Sequence, residues 1–223
     1  MGQSDFEAVI FDWDGTLADT KEVVVLSFQM VLAEVGCRIS DRFLERLIGI
    51  GARNMFKEAL ESAGIPFDEK MINDLLRRKT SIQLGMIDRV RLFDGAIELL
   101  DSLHGRLRIA LATMSNREVI EKAIAAMGIK KYFDLVLTVD EVKKPKPDPE
   151  VFLKCAEKLG VQPTKCVVIE DSVFGVIAAK RAGMRCIAVL TGAYGMEELV
   201  RENPDLTVKS LMEIEKILGF ILG

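Results

Sequence analysis

The sequence predicts an α/β fold, in which a parallel sheet core carries an inserted all-helical subdomain. Short apolar runs rich in Val and Ile alternate with segments of helical periodicity along most of the 223 residues. One region of about 70 residues interrupts this alternation with helical patterns alone. Carboxylates, hydroxyls and lysines follow directly after the predicted strands. The residues that follow the predicted strands are therefore candidates for a functional site.

Five apolar segments bounded by turn residues are predicted to be buried strands. They are AVIF (8–11), RIALA (108–112), LVLT (135–138), CVVIE (166–170) and RCIAVL (185–190). The segments between them carry apolar residues at helical spacing and end in Gly, which favours a helix C-terminus. Because alternating strands and helices place helices on both faces of a parallel sheet, we predict a Rossmann-like core.

The interrupting region runs from about Lys21 to about Arg91 and contains four helical patterns. Ser40 and Asp68 stand where helix N-caps are expected. We therefore predict an α/β core made of residues 1–19 and 92–223, and a helical cap made of residues 20–91. Two adjacent linkers would join the cap to the core and act as a hinge.

Composition excludes several classes of protein. A hydrophobic fraction of 49% excludes wholesale disorder, and a net charge of −4 gives no reason to expect nucleic acid as a partner. No run reaches the ~18 apolar residues of a membrane span, and the first residues lack a basic signal-peptide region. The four cysteines are scattered without a CxxC pair, so we expect buried thiols in a reducing compartment. The expectation is a cytoplasmic monomer or homodimer that does not bind membranes.

Polar side chains follow four of the predicted strands, at the edge of the sheet where α/β proteins bind ligands. The residues at these positions are Asp12 and Asp14 after the first strand, Thr113, Met114, Ser115 and Asn116 after the second, Lys143, Lys144 and Lys146 in the segment after the third, and Glu170, Asp171 and Ser172 after the fourth. Taken singly, each motif could be a turn or a helix cap. Their joint placement at one edge argues for a site.

The chemistry of this set indicates phosphoryl transfer. Asp12 and Asp14 are two residues apart, so they project to the same side of an extended chain. Converging carboxylates repel each other unless a cation joins them, and hard oxygen ligands suit Mg²⁺. A metal, a lysine and a hydroxyl next to backbone N–H groups form a binding site for a trianion.

The same residues resemble the four signature segments of the haloacid dehalogenase-like superfamily. The segments are DWDGT (12–16), Thr113 at its strand end, KPKPD (144–148) and EDS (170–172), in the family's order. The resemblance covers essentially the whole chain and includes a helical cap inserted after the first motif. It is strongest to the branch of the phosphoglycolate phosphatases and β-phosphoglucomutases.

The resemblance implies a role for each residue. Asp12 would be the nucleophile that becomes an aspartyl phosphate, and Asp14 the general acid and base. The implied phosphate-binding residues are Gly15 and Met114 through their backbone N–H groups, Thr113 through its hydroxyl and Lys144 through its ammonium. The implied Mg²⁺ ligands are the carboxylates of Asp12 and Asp171 and the main-chain carbonyl of Asp14, with Glu170 as an outer partner or a further ligand.

The resemblance also frames the alternatives. Asp14 implies a leaving oxygen that needs a proton, and therefore a Mg²⁺-dependent phosphatase acting on a small phosphorylated metabolite. A β-phosphoglucomutase-like phosphomutase and a pyrophosphatase are the alternatives. Such mutases carry a histidine and an arginine at the positions matched here by Val24 and Ala52, although Arg53 is adjacent. Arg53 is the candidate for substrate specificity in the cap. A catalytically idle binding domain is a third reading, against which the intact motif set argues.

Overall fold

The computed structural model describes residues 6–223, and its main sheet has six parallel strands. They are β1 (Ala8–Phe11), β4 (Arg108–Ala112), β5 (Leu135–Leu137), β6 (Cys166–Glu170), β7 (Arg185–Val189) and β8 (Leu206–Val208). Their order across the sheet is β5-β4-β1-β6-β7-β8. The five predicted strands and the Rossmann-like class are confirmed. The sequence did not indicate β8 (LTV), because Thr207 separates its two apolar residues and leaves no continuous apolar run.

The register of the central strands brings their carboxyl ends to one level. Phe11 of β1 lies opposite Leu111 of β4 and Ile169 of β6. The ladder continues one residue further, where the N–H of Asp12 donates to the Ile169 carbonyl at 3.0 Å. Residues that follow these three strands therefore share one edge of the sheet.

Helices cover both faces of the sheet, as the alternation predicts. They are α5 (Ala96–Leu103), α6 (Arg117–Ala126), α7 (Glu150–Leu159), α8 (Val173–Arg181), α9 (Met196–Arg201) and α10 (Ile214–Leu222). Alternate residues of β1 belong to two separate hydrophobic clusters: Val9 and Phe11 pack with α5, α6 and α10, whereas Ala8 and Ile10 pack with α7 and α8. The sheet is thus buried on both sides.

Four α-helices within residues 20–91 form a hydrophobic cluster of their own. They are α1 (Lys21–Ala33), α2 (Asp41–Glu45), α3 (Ala52–Ser62) and α4 (Glu69–Gly85). The predicted N-caps are confirmed: Ser40 Oγ accepts the N–H of Phe43 at 3.2 Å, and Asp68 Oδ1 accepts that of Met71 at 2.7 Å. We call residues 20–91 the cap.

The two connections between cap and core pair with each other. β2 (Ala18–Asp19) and β3 (Arg91–Leu92) form a short antiparallel ladder. The N–H of Phe93 extends it by donating to the Leu17 carbonyl at 3.0 Å. The cap is therefore attached through a paired, two-stranded base.

Cysteine burial and helix length bear on two of the compositional expectations. Cys37, Cys155, Cys166 and Cys186 are free and buried. Burial raises the pKa of Cys155 to about 12, which keeps this thiol protonated. Among residues 6–223 no helix combines the length and apolarity that a membrane crossing requires. The first five residues, on which the signal-peptide expectation rests in part, lie outside the described range.

A substitution in the cap tests whether its hydrophobic cluster is a packed core. Phe56 is fully buried, with its ring centroid 4.5 Å from that of Phe28. Phe56→Ala should lower the free energy of unfolding by about 3–5 kcal/mol, because it removes an aromatic side chain and leaves a cavity. Urea denaturation measures the change. Met30→Ala, on the exposed side of α1, should change it by less than about 0.5 kcal/mol. Equal effects of the two variants would contradict a packed cap core.

Candidate active site

A buried lysine joins the ends of the central strands. Lys146 Nζ lies 2.5 Å from Asp12 Oδ1 and 2.6 Å from Glu170 Oε1, and its side chain is completely shielded from solvent. It also lies 3.5 Å from the carbonyl oxygen of Ala112. Asp12 directly follows β1, Glu170 is the last residue of β6, and Ala112 is the last residue of β4. One ammonium group therefore contacts the carboxyl ends of three neighbouring strands.

The structure corrects the predicted position of this lysine, since Lys144 is exposed and Lys146 lies at the strand ends. The N–H groups of Lys143 and Lys144 donate to the two oxygens of Glu150, in the first turn of α7, at 3.0 and 2.8 Å. Lys154 and these N–H groups lower the pKa of Glu150 to about 2, which keeps it ionised. This anchoring leaves the Lys144 side chain in solvent. The pattern Lys-Pro-x-Pro followed by an acidic residue occurs twice with overlap, as KPKPD (144–148) and KPDPE (146–150), so spacing alone fitted either lysine.

Three carboxylates crowd around this lysine. Asp12, Glu170 and Asp171 each offer an oxygen, and these oxygens lie within 4.8 Å of one another. Burial raises the pKa of Asp12 and of Asp171, and the neighbouring carboxylates raise both further while Lys146 opposes them. Burial would lower the pKa of Lys146, but Asp12 and Glu170 outweigh it and raise this pKa.

The charge of this acidic cluster fits a divalent cation. When all groups are ionised, three carboxylates and one ammonium leave two negative charges uncompensated in a buried place. Carboxylate oxygens at this spacing are the hard ligands that Mg²⁺ prefers. The residues present can therefore hold the metal that the sequence predicts.

Glu170 and Asp171 differ in how far their oxygens are already used. Glu170 Oε2 accepts the N–H groups of Asp171 and Ser172 at 3.0 Å and the Ser172 hydroxyl at 2.9 Å, while Oε1 binds Lys146. Asp171 Oδ1 accepts one hydroxyl, that of Thr16, at 3.0 Å. Glu170 thus orients Lys146 and the turn after β6, and Asp171 has more capacity for a metal.

Gly15 provides space for Asp171 rather than an N–H group for a phosphate. Its φ is +85°, and a Cβ there would lie 2.4 Å from Asp171 Oδ2. Its N–H donates to the Ala18 carbonyl at 2.9 Å. The structure therefore does not support the predicted phosphate contact of Gly15, because this donor is used in the turn that ends the first motif.

Asp14 is held apart from the acidic cluster by hydroxyl groups. Its Oδ1 accepts the Thr20 hydroxyl at 2.7 Å, and its Oδ2 accepts the Ser115 hydroxyl at 2.7 Å and the Thr113 hydroxyl at 3.4 Å. Thr113 is fully buried, whereas Met114 and Ser115 line a cavity beside Asp14. Ser115 was predicted to lie at this strand end, but the sequence assigned it no role.

Two of the spaces between the cap and the core adjoin each other. The inner cavity has a volume of about 20 Å³, and Asp14 forms part of its wall. The outer cleft, of about 810 Å³, opens between α3 and α4 on one side and the loops after β4 and β5 on the other. The two spaces share five of their lining residues, namely Gly51, Ala52, Lys79, Met114 and Ser115. The outer cleft therefore leads to Asp14.

Lys79 of α4 brings a buried cation to both spaces. Its side chain lies over the Phe28 ring, with Nζ 5.2 Å from the centroid, and no carboxylate of residues 6–223 is within ion-pairing distance of it. Burial lowers the pKa of Lys79 to about 8, and Asp14 partly opposes this. The predictions missed Lys79, although it stands in helical register with the buried Ile72 and Leu75.

Arg53, the predicted specificity residue, lies at the outer cleft and is bound within the cap. Its guanidinium lies 2.5 Å from Glu69 Oε2 and 2.6 Å from Asn73 Oδ1, both on α4. It does not line the inner cavity. A contact with substrate stays a prediction for this residue.

Comparisons with known proteins agree with this geometry. The sequence model of the haloacid dehalogenase-like hydrolases matches residues 9–189. A phosphorylated carbohydrates phosphatase of Thermotoga maritima is 37% identical over 223 residues, covering 96% of this chain and 98% of that protein. The fructose-1-phosphate phosphatase YqaB of Escherichia coli K12 is 34% identical over 185 residues, covering 82% and 96%. The crystal structure of a β-phosphoglucomutase from Clostridium difficile superposes with a TM-score of 0.86 at 28% identity, covering 97% of both chains.

The two neighbouring lysines provide a matched test of the site's electrostatics. Lys146→Met should destabilise the protein by about 3–5 kcal/mol at pH 8, because it leaves two buried carboxylates without their cation. Lys144→Met should change the stability by less than about 0.5 kcal/mol. Urea denaturation in the presence of a chelator measures both.

The effect of Lys146→Met should depend on pH. Without the lysine, burial and the neighbouring carboxylates hold the folded-state pKa of Asp12 above its unfolded value, so the folded protein binds more protons than the unfolded chain. The loss of stability should therefore be small near pH 4 and grow as the pH rises through the folded pKa of Asp12. A loss that stays the same between pH 5 and pH 8, or one shared by Lys144→Met, would contradict the assignment.

Proposed function

Because this chain belongs to the haloacid dehalogenase-like hydrolase family, we propose that it is a Mg²⁺-dependent phosphatase that hydrolyses a small sugar phosphate through an aspartyl phosphate on Asp12. The coarser class, a phosphoric monoester hydrolase, follows from the family and from its phosphatase relatives. The observation that carries the proposal is the buried cluster of Asp12, Lys146 and Asp171, with Asp14 held separately beside a cavity.

The metal would be held by Asp12, Asp171 and the main-chain carbonyl of Asp14. When bound, it would neutralise charge on the phosphoryl oxygens and on the carboxylates around it. Lys146 contributes a fixed positive charge next to Asp12 Oδ1. Since the attacking carboxylate and the phosphate are both negative, these cations lower the cost of bringing them together.

The reaction divides between the two aspartates of the first motif. A carboxylate oxygen of Asp12 forms a bond to phosphorus while the bond from phosphorus to the sugar oxygen breaks, and Asp14 gives that oxygen its proton. A water molecule then attacks the phosphoryl group, Asp14 takes the water's proton, and the bond between Asp12 and phosphorus breaks to release phosphate. The hydroxyls of Thr20 and Ser115 support this role because they hold both oxygens of Asp14 in place.

Two apolar cap positions favour hydrolysis over a mutase reaction. Val24 and Ala52, which match the histidine and arginine of the mutases in the resemblance, both line the inner cavity. The chain's single histidine, His104, ends α5 in the core. The cap therefore lacks, at these positions, the polar groups that would retain a sugar phosphate for a second transfer.

The size and charge of the cap–core spaces support a sugar phosphate as substrate. Two relatives are named as phosphatases of phosphorylated carbohydrates and of fructose 1-phosphate. An outer cleft of about 810 Å³ is within the range of small-molecule sites. Lys79 adds a buried positive charge that suits an anionic substrate.

A panel of phosphate esters assayed with Mg²⁺ tests the proposal directly. The panel should contain sugar phosphates, phosphoglycolate, an aryl phosphate and pyrophosphate, with inorganic phosphate as the readout. We expect sugar phosphates to have the highest kcat/KM, and excess EDTA to abolish turnover. Asp12→Asn should lower kcat by more than about 1000-fold. Asp94→Asn is the control, because Asp94 belongs to the α/β core but its side chain is exposed to solvent, and this variant should keep its kcat.

The same assay separates the alternatives. Isomerisation of a sugar phosphate that needs a bisphosphate activator would indicate a mutase. Preferred hydrolysis of pyrophosphate would indicate a pyrophosphatase. Activity retained by Asp12→Asn would contradict the covalent mechanism.

Lys79 gives a further prediction about substrate affinity and pH. Lys79→Met should lower kcat/KM for a sugar phosphate by about 10- to 100-fold below pH 8, because the charged ammonium attracts the substrate. In the wild type, kcat/KM should fall as the pH rises through about 8, where Lys79 loses its proton. This fall should be absent in Lys79→Met.

The neighbouring Arg78 is the matched control. It pairs with Glu34 on the surface of the cap, with the Arg78 side chain 60% exposed. Arg78→Met should leave kcat/KM within about twofold of the wild type. Equal losses in the two variants would show that the buried position of Lys79 is irrelevant to binding.

A further inference from the structure

One residue of the cap makes three contacts with one region of the core, two with the loop after β7 and one with α9. Arg46 directly follows α2, and its Nη2 lies 2.8 Å from Glu198 Oε1. Its guanidinium carbon lies 4.5 Å from the centre of the Tyr194 ring. The Tyr194 hydroxyl in turn donates to the main-chain carbonyl of Arg46 at 2.5 Å. Both the side chain and the backbone of Arg46 are therefore held by the core.

The core loop that holds Arg46 touches the acidic cluster at its other end. This loop, residues 190–195, follows β7. The Thr191 hydroxyl donates to the Gly15 carbonyl at 2.5 Å. Gly192 lies directly against Asp171, since a Cβ on it would be 1.8 Å from Asp171 Oδ2. The loop's position is thus fixed by the residues of the acidic cluster.

The cap segment that follows Arg46 forms part of the inner cavity. We call residues 47–51 the cap loop; its Ile48, Gly49 and Gly51 line that cavity beside Asp14. A Cβ on Gly49 would lie 3.3 Å from the Ser172 hydroxyl, so the cap loop packs closely on the turn after β6. A displacement of Arg46 would move the wall of the cavity.

We propose that Arg46 is a positioning residue that clamps the cap loop to the core through Tyr194 and Glu198, and so holds the cavity wall in register with Asp14. The proposal rests on the phosphatase function argued above. On the opposite side the cap is held differently, by hydrogen bonds from Asn116 to Thr80 at 2.8 Å and from Lys122 to the Leu84 carbonyl at 2.9 Å.

The strength of the clamp comes from its combination of contacts. The side chains of Arg46 and Glu198 are 39% and 38% exposed, so their ion pair alone is screened by solvent. Tyr194 is buried, and its ring gives the guanidinium a cation–π contact that water competes with less. Burial raises the pKa of Tyr194 to about 12 although Arg46 opposes this, so the phenol keeps the proton that it donates.

Amide hydrogen exchange tests the clamp without any substrate. Arg46→Ala should speed exchange in the cap loop, where the N–H of Ile50 donates to the Leu47 carbonyl at 3.2 Å, by about three- to tenfold. Exchange in α4 should not change. Arg42→Ala is the matched control, because Arg42 lies one turn earlier on the same helix, is exposed, and makes no side-chain hydrogen bond or ion pair within the described range.

Kinetics test the consequence for the reaction. Arg46→Ala should lower kcat/KM for the best sugar phosphate by about three- to tenfold, while hydrolysis of acetyl phosphate, whose small leaving group needs no cap contact, stays within about twofold. Arg46→Lys should recover part of the loss. Glu198→Gln keeps an acceptor for the Gly195 N–H, and combining it with Arg46→Ala should add little to Arg46→Ala alone.

Each outcome bears on one proposal. An active wild type with unchanged exchange and kinetics in Arg46→Ala, or losses equal to those of Arg42→Ala, would overturn the clamp. Additive losses in the double variant would also overturn it. A wild type that hydrolyses no phosphate ester would refute the proposed function instead, and the exchange experiment would still decide whether Arg46 orders the cap loop.

Discussion

The buried ammonium of Lys146 is the interaction on which the arrangement of the site depends. Asp12 and Glu170 end adjacent strands, and in a parallel sheet that adjacency forces their carboxylates close together. Two ionised carboxylates at this depth would be strongly unfavourable without a cation. The loop before α7 supplies that cation from a distant part of the sequence, so the sheet edge can keep both acids. The register of the sheet, the anchoring of the loop and the charge of the site therefore depend on one another.

The same crowding gives the two aspartates of the first motif different surroundings. Asp12 lies in the acidic cluster, where one lysine leaves negative charge for a metal to neutralise. Asp14 is only two residues away but is bound by hydroxyl groups at the cavity. Two carboxylates of the same type can serve as nucleophile and as acid–base group because their surroundings differ. Gly15 permits this division, since it lets the chain turn sharply against Asp171.

The cap completes a site whose reactive groups all belong to the core. Lys79 brings a positive charge to the cavity from α4, and the cap loop supplies apolar wall. The inner cavity of about 20 Å³ has room for about one water molecule, so a substrate must use the outer cleft or shift the cap. The cap is joined to the core through the paired strands at its base, and the contacts of Arg46 hold it on one side. Under the proposals above, access to the site would depend on how firmly the cap is held.

Local pattern determined five of the six strands of the main sheet and the positions of Asp12 and Asp171, because a carboxylate that directly follows a buried strand has little freedom in where it lies. Tertiary structure decided what local pattern leaves open. In KPKP the spacing suits Lys144 and Lys146 equally, and only the anchoring of the loop by Glu150 sends one into the core and the other to solvent. Lys79 is a candidate site residue because the packing of α4 on α1 buries its side chain beside the cavity. A long loop or a separate helical layer can present many different side chains to the site. Contacts between residues that are far apart in sequence decide which of these side chains reaches it.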